Sequence, residues 1–226
     1  LDWDEGPDLG GPHAPYDQSA RMPLYREALE RLRAGGYLYA CTCSRKDIRL
    51  AASAPHPPDD EPVYPGTCRE RKTPPVDRPY AWRFRVPEGR RVRFTDGRRG
   101  DCVYEAGRDF GDFVVWRSDD TPAYHLACVV DDALMGITEV VRGEDLLRST
   151  ARQLLLYEAM GWPPPAWFHC ELVTDEHGRR LAKRHDALSL RALRERGADP
   201  AAWVKEWSER LRDGEAASRR APGAAG

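Results

Sequence analysis

Hydrophobic side chains recur at every second residue between 80 and 105, and this alternation restricts the fold more than any other feature. Trp82 and Phe84 would face one side of an extended strand, while Arg83 and Arg85 would face the other. A period of two is typical of a β-strand with one buried face, since successive strand side chains point in opposite directions. The segment is therefore predicted to contain strands with an arginine-rich face.

Two turn signals divide this segment. Pro87-Glu88-Gly89 is followed by renewed alternation at Val92 and Phe94, and Asp96-Gly97 supplies a second turn. Together these signals predict a small antiparallel sheet.

From Phe113 onwards the pattern changes to that of an α/β domain. Short apolar runs at Phe113–Trp116 and Ile137–Val141 flank the helical pattern of Ala123–Leu134. Ser149 is a candidate cap for a helix that Gly161 ends, and Trp167–Val173 reads as another strand. Alternating strands and helices indicate an α/β fold.

Helices are also predicted at both ends of the chain. Ser19 is a candidate cap for an amphipathic helix that ends at Gly35-Gly36. Near the C-terminus we expect helices at Leu188–Glu195 and, with Asp199 as cap, at Ala201–Arg212. The remaining tail is rich in Ala, Gly and Arg, and we expect it to be disordered.

Composition excludes several protein classes. The 226 residues are 41% hydrophobic and 32% charged, unlike a disordered chain. No run reaches the roughly 18–20 apolar residues of a membrane span, and the first residues do not form a signal peptide. The six cysteines are too sparse for a disulfide scaffold. We therefore expect a cytoplasmic protein without a membrane partner.

The net charge of -2 conceals an uneven distribution. Residues 69–99 contain eleven Lys or Arg and four acidic residues. A local basic surface attracts phosphates even in an acidic protein. The segment is a candidate RNA-binding surface, with ordinary solvated strand faces as the alternative.

Three of the cysteines have the spacing of a metal site. Cys41 and Cys43 form a C-x-C pair, and Cys68 is a candidate third ligand. A structural zinc site needs a fourth ligand, for which the candidates are Tyr64 and His56. On chemistry alone His56 is preferred, because a phenol must lose its proton before it binds a metal. The competing interpretation is three unrelated buried cysteines.

Basic residues also concentrate in a polar segment after the last predicted strand. Arg179 to His185 is a candidate loop for polyphosphate, because its cations can form charge-assisted hydrogen bonds. A solvated surface loop is the alternative. Upstream, Arg142 ends a predicted strand, where its planar guanidinium can bind a carboxylate.

Four segments resemble, in order and spacing, the second half of the class I glutamyl-type aminoacyl-tRNA synthetases. They are Tyr124–Asp132, Gly136–Leu146, Gly161-Trp162 and Arg180–His185. The resemblance implies an α/β fold: the second half of a Rossmann-type catalytic domain, with an inserted zinc-containing small antiparallel β subdomain and a short helical C-terminus.

The same resemblance implies roles for particular residues. Lys183 takes the place of the catalytic, ATP-phosphate-binding lysine in a KMSKS-like loop, and Tyr124 and Arg142 fall where the family contacts glutamate. The first and third loop positions depart from the consensus, with Arg for Lys and Ala for Ser. The other implied ATP-binding residues of the loop are Arg180, Leu181, Ala182 and Arg184.

The cysteine pattern is similar to that of the glutamyl-Q tRNA(Asp) synthetase branch, which has Cys-x-Cys followed by Tyr-x-x-x-Cys. This resemblance favours Tyr64 over His56 and gives Cys41, Cys43, Tyr64 and Cys68 as the zinc ligands. The spacer that contains residues 51–62 is longer than expected for the branch.

The implied domain organisation has four parts. Residues 1–36 would end the first Rossmann half, 37–112 would form the inserted zinc subdomain, and 113–187 would form the second Rossmann half. Residues 188–226 would supply helices and a tail. No HIGH-like motif precedes the first helix, so we expect an N-terminally truncated sequence that is inactive alone.

The activity implied by the resemblance is ATP-dependent activation of glutamate, with Mg²⁺, and its transfer to the queuosine base of tRNA(Asp). The expected partners are ATP, L-glutamate and tRNA(Asp), and neither DNA nor a membrane. Two other functions stay open: a fragment of a glutamate–tRNA ligase, and a non-catalytic zinc- and RNA-binding relative of the synthetases.

Overall fold

The computed structural model describes residues 4–44, 46–48, 63–172, 190–197, 199–205 and 208–209. The chain divides into two compact units, Leu1–Glu171 and Leu172–Gly226. The first contains both sheets and the three longest described helices.

The N-terminal helix α1 spans Met22–Ala34 and follows a 3-10 turn at Gln18–Arg21. Its start differs from the prediction, because Ser19 lies inside the 3-10 turn and does not cap the helix. Pro23, in the first helical turn, is compatible with this start because the first amide groups of a helix have no intrahelical acceptor. The helix ends at Gly35 as predicted, and Gly36 adopts a φ of 74°.

The first sheet has three antiparallel strands in the order β1-β2-β5. Strand β1 is Leu38–Cys41, β2 is Ala81–Phe84 and β5 is Phe113–Trp116. In the register, Tyr39 lies opposite Arg83. The last strand has the predicted bounds.

The second sheet has four strands in the order β4-β3-β7-β6. Arg91–Asp96 (β3) and Gly100–Glu105 (β4) form an antiparallel hairpin, as the turn at Asp96-Gly97 predicts. Glu139–Gly143 (β6) and Ala166–Cys170 (β7) run parallel, and β3 joins β7 in parallel at one residue pair.

The single antiparallel sheet predicted for residues 80–105 is therefore wrong. Strand β2 belongs to the first sheet, and the β3–β4 hairpin belongs to a mixed sheet with β7 and β6. Pro87–Gly89 does turn the chain, but the strands before and after it, β2 and β3, do not pair with each other. Alternation identifies strand residues, whereas pairing depends on which apolar faces meet.

Two further helices cover the core. Helix α2 spans Tyr124–Leu134, within one residue of the prediction, and α3 spans Leu147–Met160. Ser149 is buried inside α3 instead of capping it. Gly161 ends α3 in the left-handed conformation, with a φ of 63°, a conformation that glycine adopts without a steric penalty.

The main core lies where α1, α2 and α3 pack against one another and against the strands. Its fully buried side chains include Tyr25, Phe110, Leu126 and Leu156. An ion pair joins the 3-10 turn before α1 to helix α2: Arg21, 3% exposed, donates to Asp131 over 2.7 Å.

The C-terminal unit contains helix α4 at Leu190–Glu195, and residues 200–205 are also helical. The Ala201 amide donates to Asp199 over 2.9 Å, which confirms the predicted cap. Among the described helices, none combines the length and apolar character needed to span a bilayer.

Candidate functional site

Cys41, Cys43 and Cys68 converge beside the edge of the first sheet. Cys41 ends β1, and Cys68 follows the turn at Gly66, where a φ of 82° lets the chain reverse. The three sulfur atoms lie within 4.8 Å of one another. All six cysteines of the chain are free thiols. Folding thus brings together the three thiols that the sequence singled out.

The hydroxyl of Tyr64 completes this cluster. It lies 3.4 Å from Cys41 Sγ and 3.5 Å from Cys43 Sγ, and it accepts the Cys68 backbone N–H over 2.9 Å. The ring is 7% exposed. A buried phenolic oxygen that touches two thiols is well placed as a fourth donor.

The spacing of these donors fits a tetrahedral metal ion such as zinc. With Zn–S near 2.3 Å and Zn–O near 2.0 Å, neighbouring sulfurs should lie about 3.8 Å apart, and a sulfur and an oxygen about 3.5 Å apart. Cys43 and Cys68 have an S···S distance of 3.6 Å. The cysteine group can hold such an ion.

The protonation of the cluster is uneven. Burial raises the pKa of Cys43 to about 11. Burial also acts to raise the pKa of Cys68, but hydrogen bonds from the Thr42 backbone and from Tyr64 lower it to about 7. Cys68 is therefore converted to the metal-binding thiolate more easily than Cys43.

Arg83 lies against this cluster and not on an exposed face. Its guanidinium sits 4.0 Å from the centre of the Tyr64 ring and donates to the Asp112 carbonyl over 3.0 Å. It is 7% exposed. The prediction that Arg83 belongs to an exposed arginine-rich face is wrong, because a cation–π contact and a backbone acceptor compensate its burial.

The remaining arginines of the basic segment are largely ion-paired. Arg90 binds Glu158, Arg91 binds Glu105, and Arg99 binds Glu144. These arginines are exposed, so their pairs are individually weak and a phosphate can compete for the cations.

A second group of polar side chains surrounds Arg142 on β6. Its Nε donates to His169 Nε2 over 3.1 Å and its Nη2 to Thr150 Oγ1 over 2.7 Å. The guanidinium lies 4.7 Å from the centre of the Trp167 ring. Side chains of strand β7 and helix α3 therefore hold this cation.

Tyr124, at the start of α2, lies close to Arg142, and the positive charge of Arg142 opposes the rise that burial causes in the pKa of Tyr124. Tyr124 is 49% exposed. The structure thus places both predicted glutamate contacts together, with one exposed member through which a small ligand can approach.

The surroundings of Arg142 are poorly solvated. Burial lowers the pKa of Arg142 itself, raises that of Asp132 to about 6 and lowers that of His125 to about 3. Proximity to Arg142 opposes the rise for Asp132 and adds to the fall for His125. Perturbed groups around one half-buried cation are typical of a ligand site.

Asp96 and His169 are site residues that the sequence analysis missed. Asp96 Oδ2 lies 2.6 Å from His169 Nδ1, and neither side chain is exposed. In the sequence Asp96 reads as an ordinary turn residue, and His169 sits inside an apolar strand. A charged or titratable residue at a strand end was the available signal.

Several predicted residues lie outside the described part of the chain. They are the KMSKS-like loop residues Arg180, Leu181, Ala182, Lys183 and Arg184, and the alternative zinc ligand His56.

A family described as "tRNA synthetases class I (E and Q), catalytic domain" matches residues 1–211. The chain belongs to this family. The match confirms the resemblance drawn from the four short segments.

Curated relatives carry two kinds of name. Glutamyl-Q tRNA(Asp) synthetases of Symbiobacterium thermophilum and Nitratidesulfovibrio vulgaris are 52% and 50% identical, over 88% and 89% of this chain and 64% of each relative. A glutamate–tRNA ligase of Geobacter sulfurreducens is 40% identical, over 90% of this chain and 42% of the relative. The chain thus spans less than two thirds of these relatives.

Solved structures support the same family. The chain is similar to the glutamate-tRNA synthetase of Elizabethkingia anophelis, with a TM-score of 0.68 and 32% identity over 83% of this chain and 41% of that one. The mixed α/β sheets therefore belong to a class I glutamyl-tRNA synthetase catalytic domain.

Proposed function

We propose that this chain is the larger part of an enzyme that activates glutamate with ATP and transfers it to the queuosine base of tRNA(Asp). The observation that carries the proposal is the proximity of Tyr124 to Arg142, a half-buried arginine. An arginine that His169, Trp167 and Thr150 hold in a poorly solvated site is suited to binding a carboxylate.

Glutamate activation is the first step of the proposed reaction. The α-carboxylate of glutamate attacks the α-phosphorus of ATP, and the bond to pyrophosphate breaks, giving glutamyl-adenylate. Arg142 binds and orients a glutamate carboxylate, and Tyr124 forms the exposed side of its site. Lys183, in the KMSKS-like loop, stabilises the charge that develops on the phosphates. Mg²⁺ bound to ATP would further neutralise that charge.

Transfer is the second step. A hydroxyl oxygen of queuosine attacks the acyl carbon of the adenylate, AMP leaves and the hydroxyl proton is released. The product is a modified anticodon base and not a tRNA charged at its 3′ end. Greater identity to the two glutamyl-Q tRNA(Asp) synthetases, 52% and 50%, than to the G. sulfurreducens ligase, 40%, supports this acceptor.

Zinc would have a structural role in this enzyme. Cys41, Cys43, Cys68 and Tyr64 supply four donors, which closes the coordination sphere, whereas a catalytic zinc keeps a position open. The ion would join β1 to the turn at 64–68.

The proposed function also includes a division of the chain into four parts, with domain boundaries after residues 36, 112 and 187.

The basic segment supplies the surface proposed for tRNA. Arg83 is excluded by its burial. Exposed arginines of the β3–β4 hairpin, such as Arg93 and Arg99, are accessible to phosphates. Binding that depends steeply on salt concentration is expected for such contacts.

The test uses the protein expressed from its whole reading frame, with radiolabelled glutamate and tRNA(Asp) prepared with and without queuosine. Label on queuosine-containing tRNA alone is the expected result. Label on the 3′ end of a glutamate tRNA would identify a glutamate–tRNA ligase. Absence of glutamate-dependent pyrophosphate exchange would identify a non-catalytic relative.

A further inference from the structure

We propose that Asp96 and His169 are positioning residues that fix the guanidinium of Arg142 in the orientation needed to receive a substrate carboxylate. The inference rests on the proposed function, in which Arg142 binds glutamate. It assigns a purpose to a buried ionisable pair that the activation chemistry itself does not use.

Both oxygens of Asp96 accept hydrogen bonds. Oδ1 accepts the backbone N–H groups of Arg98 and Arg99, over 3.1 and 2.9 Å, and Oδ2 faces His169 Nδ1. The backbone N–H of His169 lies 3.3 Å from Oδ1 and 3.1 Å from Oδ2. Burial acts to raise the pKa of Asp96, but the hydrogen bonds from His169 and from the backbone outweigh it and lower the pKa. The carboxyl is thus an anion that only accepts hydrogen bonds.

An anionic Asp96 determines where His169 carries its hydrogen. Nδ1 must donate to Oδ2, so in the neutral ring Nε2 presents a lone pair. The Nε–H of Arg142 points at this nitrogen over 3.1 Å. The tautomer follows from these partners, since Arg142 offers hydrogens and no acceptor.

A second contact fixes the rotation of the guanidinium. Arg142 Nη2 donates to Thr150 Oγ1, so one edge of the planar group has two fixed acceptors. The Trp167 ring lies beside the guanidinium. An edge contact and a ring contact together define the plane in which a carboxylate must lie.

The Asp96 side of this arrangement is held by the second sheet. Asp96 lies opposite Trp167 in the parallel pairing, and Gly97 donates to the Trp167 carbonyl over 2.7 Å. A Cβ at Gly97 would lie 2.9 Å from the Phe168 ring and 3.3 Å from that carbonyl. Such a close approach leaves Asp96 little freedom to move away from His169.

The substitution Asp96→Asn replaces one carboxylate oxygen of this arrangement with an amide NH₂ group. The backbone N–H groups of Arg98, Arg99 and His169 all donate to the Oδ1 position and keep the amide oxygen there, so the amide NH₂ faces His169 Nδ1. Nδ1 must then accept a hydrogen bond, so the ring hydrogen moves to Nε2. There the Nε2–H faces the Nε–H of Arg142, and two donors meet without an acceptor. We expect the KM for glutamate to rise about 10-fold, with an unchanged KM for ATP.

Two substitutions at His169 separate positioning from folding. In His169→Gln the side-chain oxygen can replace Nε2 as acceptor, whereas His169→Leu removes the acceptor. We expect the Gln variant to have a KM for glutamate nearer the wild-type value than the Leu variant. Asp101→Asn is the matched control, because this exposed carboxyl on the same hairpin accepts only from Thr95 among the described hydrogen bonds.

Nitrogen-15 NMR of the histidine rings tests the tautomer directly in the wild-type chain. We expect hydrogen on Nδ1 of His169, and a shift to Nε2 in Asp96→Asn. Hydrogen on Nε2 in the wild type would overturn the inference. It would also fail if Arg142→Ala raised the glutamate KM while the Asp96 and His169 variants did not.

Failure of the proposed function looks different. Wild-type protein would then show no glutamate-dependent exchange. The NMR signals would still decide whether Asp96 and His169 orient Arg142.

Discussion

The phenolic oxygen of Tyr64 lies 3.5 Å from the sulfur of Cys43, although 21 residues separate them in the chain. This distance is close to the O···S separation of about 3.5 Å expected across a tetrahedral zinc ion. Three thiols and this oxygen are thus placed as a set of donors, and the set leads to two separate tests.

Replacing Cys68 with Ser should abolish stoichiometric zinc. Removal of this thiolate leaves two sulfur donors and a phenol that must lose its proton before it binds, which is too weak a donor set for a structural site. Because zinc binding is coupled to folding, the variant should also unfold at lower denaturant concentration. Metal analysis of the purified protein and urea titration measure the two effects. Cys102→Ser, which changes a thiol on β4, is the control and should retain one zinc.

Replacing Tyr64 with Phe distinguishes the two candidates for the fourth ligand. The ring and its packing remain, but the oxygen is lost, so zinc should be retained with about 10-fold or more weaker affinity. Competition with a chromogenic chelator measures the change. His56→Ala should leave the affinity unchanged. Unchanged zinc affinity in Tyr64→Phe together with weaker affinity in His56→Ala would identify His56 as the fourth ligand.

Replacing Arg142 with Ala should weaken glutamate binding. Hydrogen bonds to charged groups contribute roughly 1.5–3 kcal/mol, which corresponds to about a 10–100-fold rise in KM for glutamate. Glutamate-dependent pyrophosphate exchange measures it. Arg117→Gln, at an exposed arginine paired with Asp119, is the matched control. An unchanged KM for glutamate in Arg142→Ala would show that Arg142 does not bind glutamate.

Asp132 should give the protein a stability that falls as pH rises from about 4 to 6. Burial raises its pKa from an ordinary value of 3.8 to about 6. In this window the folded chain therefore binds more protons than the unfolded chain, and the free energy of unfolding decreases with pH. The contribution is complete below the unfolded value and is lost as pH passes the folded one.

The measurement compares urea unfolding of the wild type and Asp132→Asn at several pH values. The Asn variant cannot ionise, so its stability relative to the wild type should increase from pH 4 to pH 6.5. A constant difference would show that the Asp132 carboxyl titrates normally in the folded protein.

Local pattern was sufficient for much of the secondary structure. Strand β5 and helix α2 match their predicted positions because each has a strong apolar period and clear flanking turns. Helix starts were less accurate: Ser19 and Ser149 both have the chemistry of a cap, yet neither caps its helix. Propensity at a terminus is a small free energy, which packing overrides.

The pairing of strands and the contacts between site residues depend on long-range contacts, about which sequence periodicity carries no information. Alternation put Arg83 on an exposed face, whereas Tyr64 and the Asp112 carbonyl hold it inside. Spacing grouped Cys41, Cys43 and Cys68, and their sulfur atoms do converge in the structure. It gave no indication of Asp96 and His169, because their relation exists only after β3 meets β7.

Pairing of β3 with β7 has a consequence for the order of folding. The β3–β4 hairpin is local and can form as soon as its own residues leave the ribosome, but His169 follows Asp96 by 73 positions. Until that imidazole arrives, the carboxylate lacks its ring donor and remains hydrated. Contacts between distant positions close slowly. Assembly of the polar group around Arg142 is therefore a late event of synthesis, after β7 has emerged.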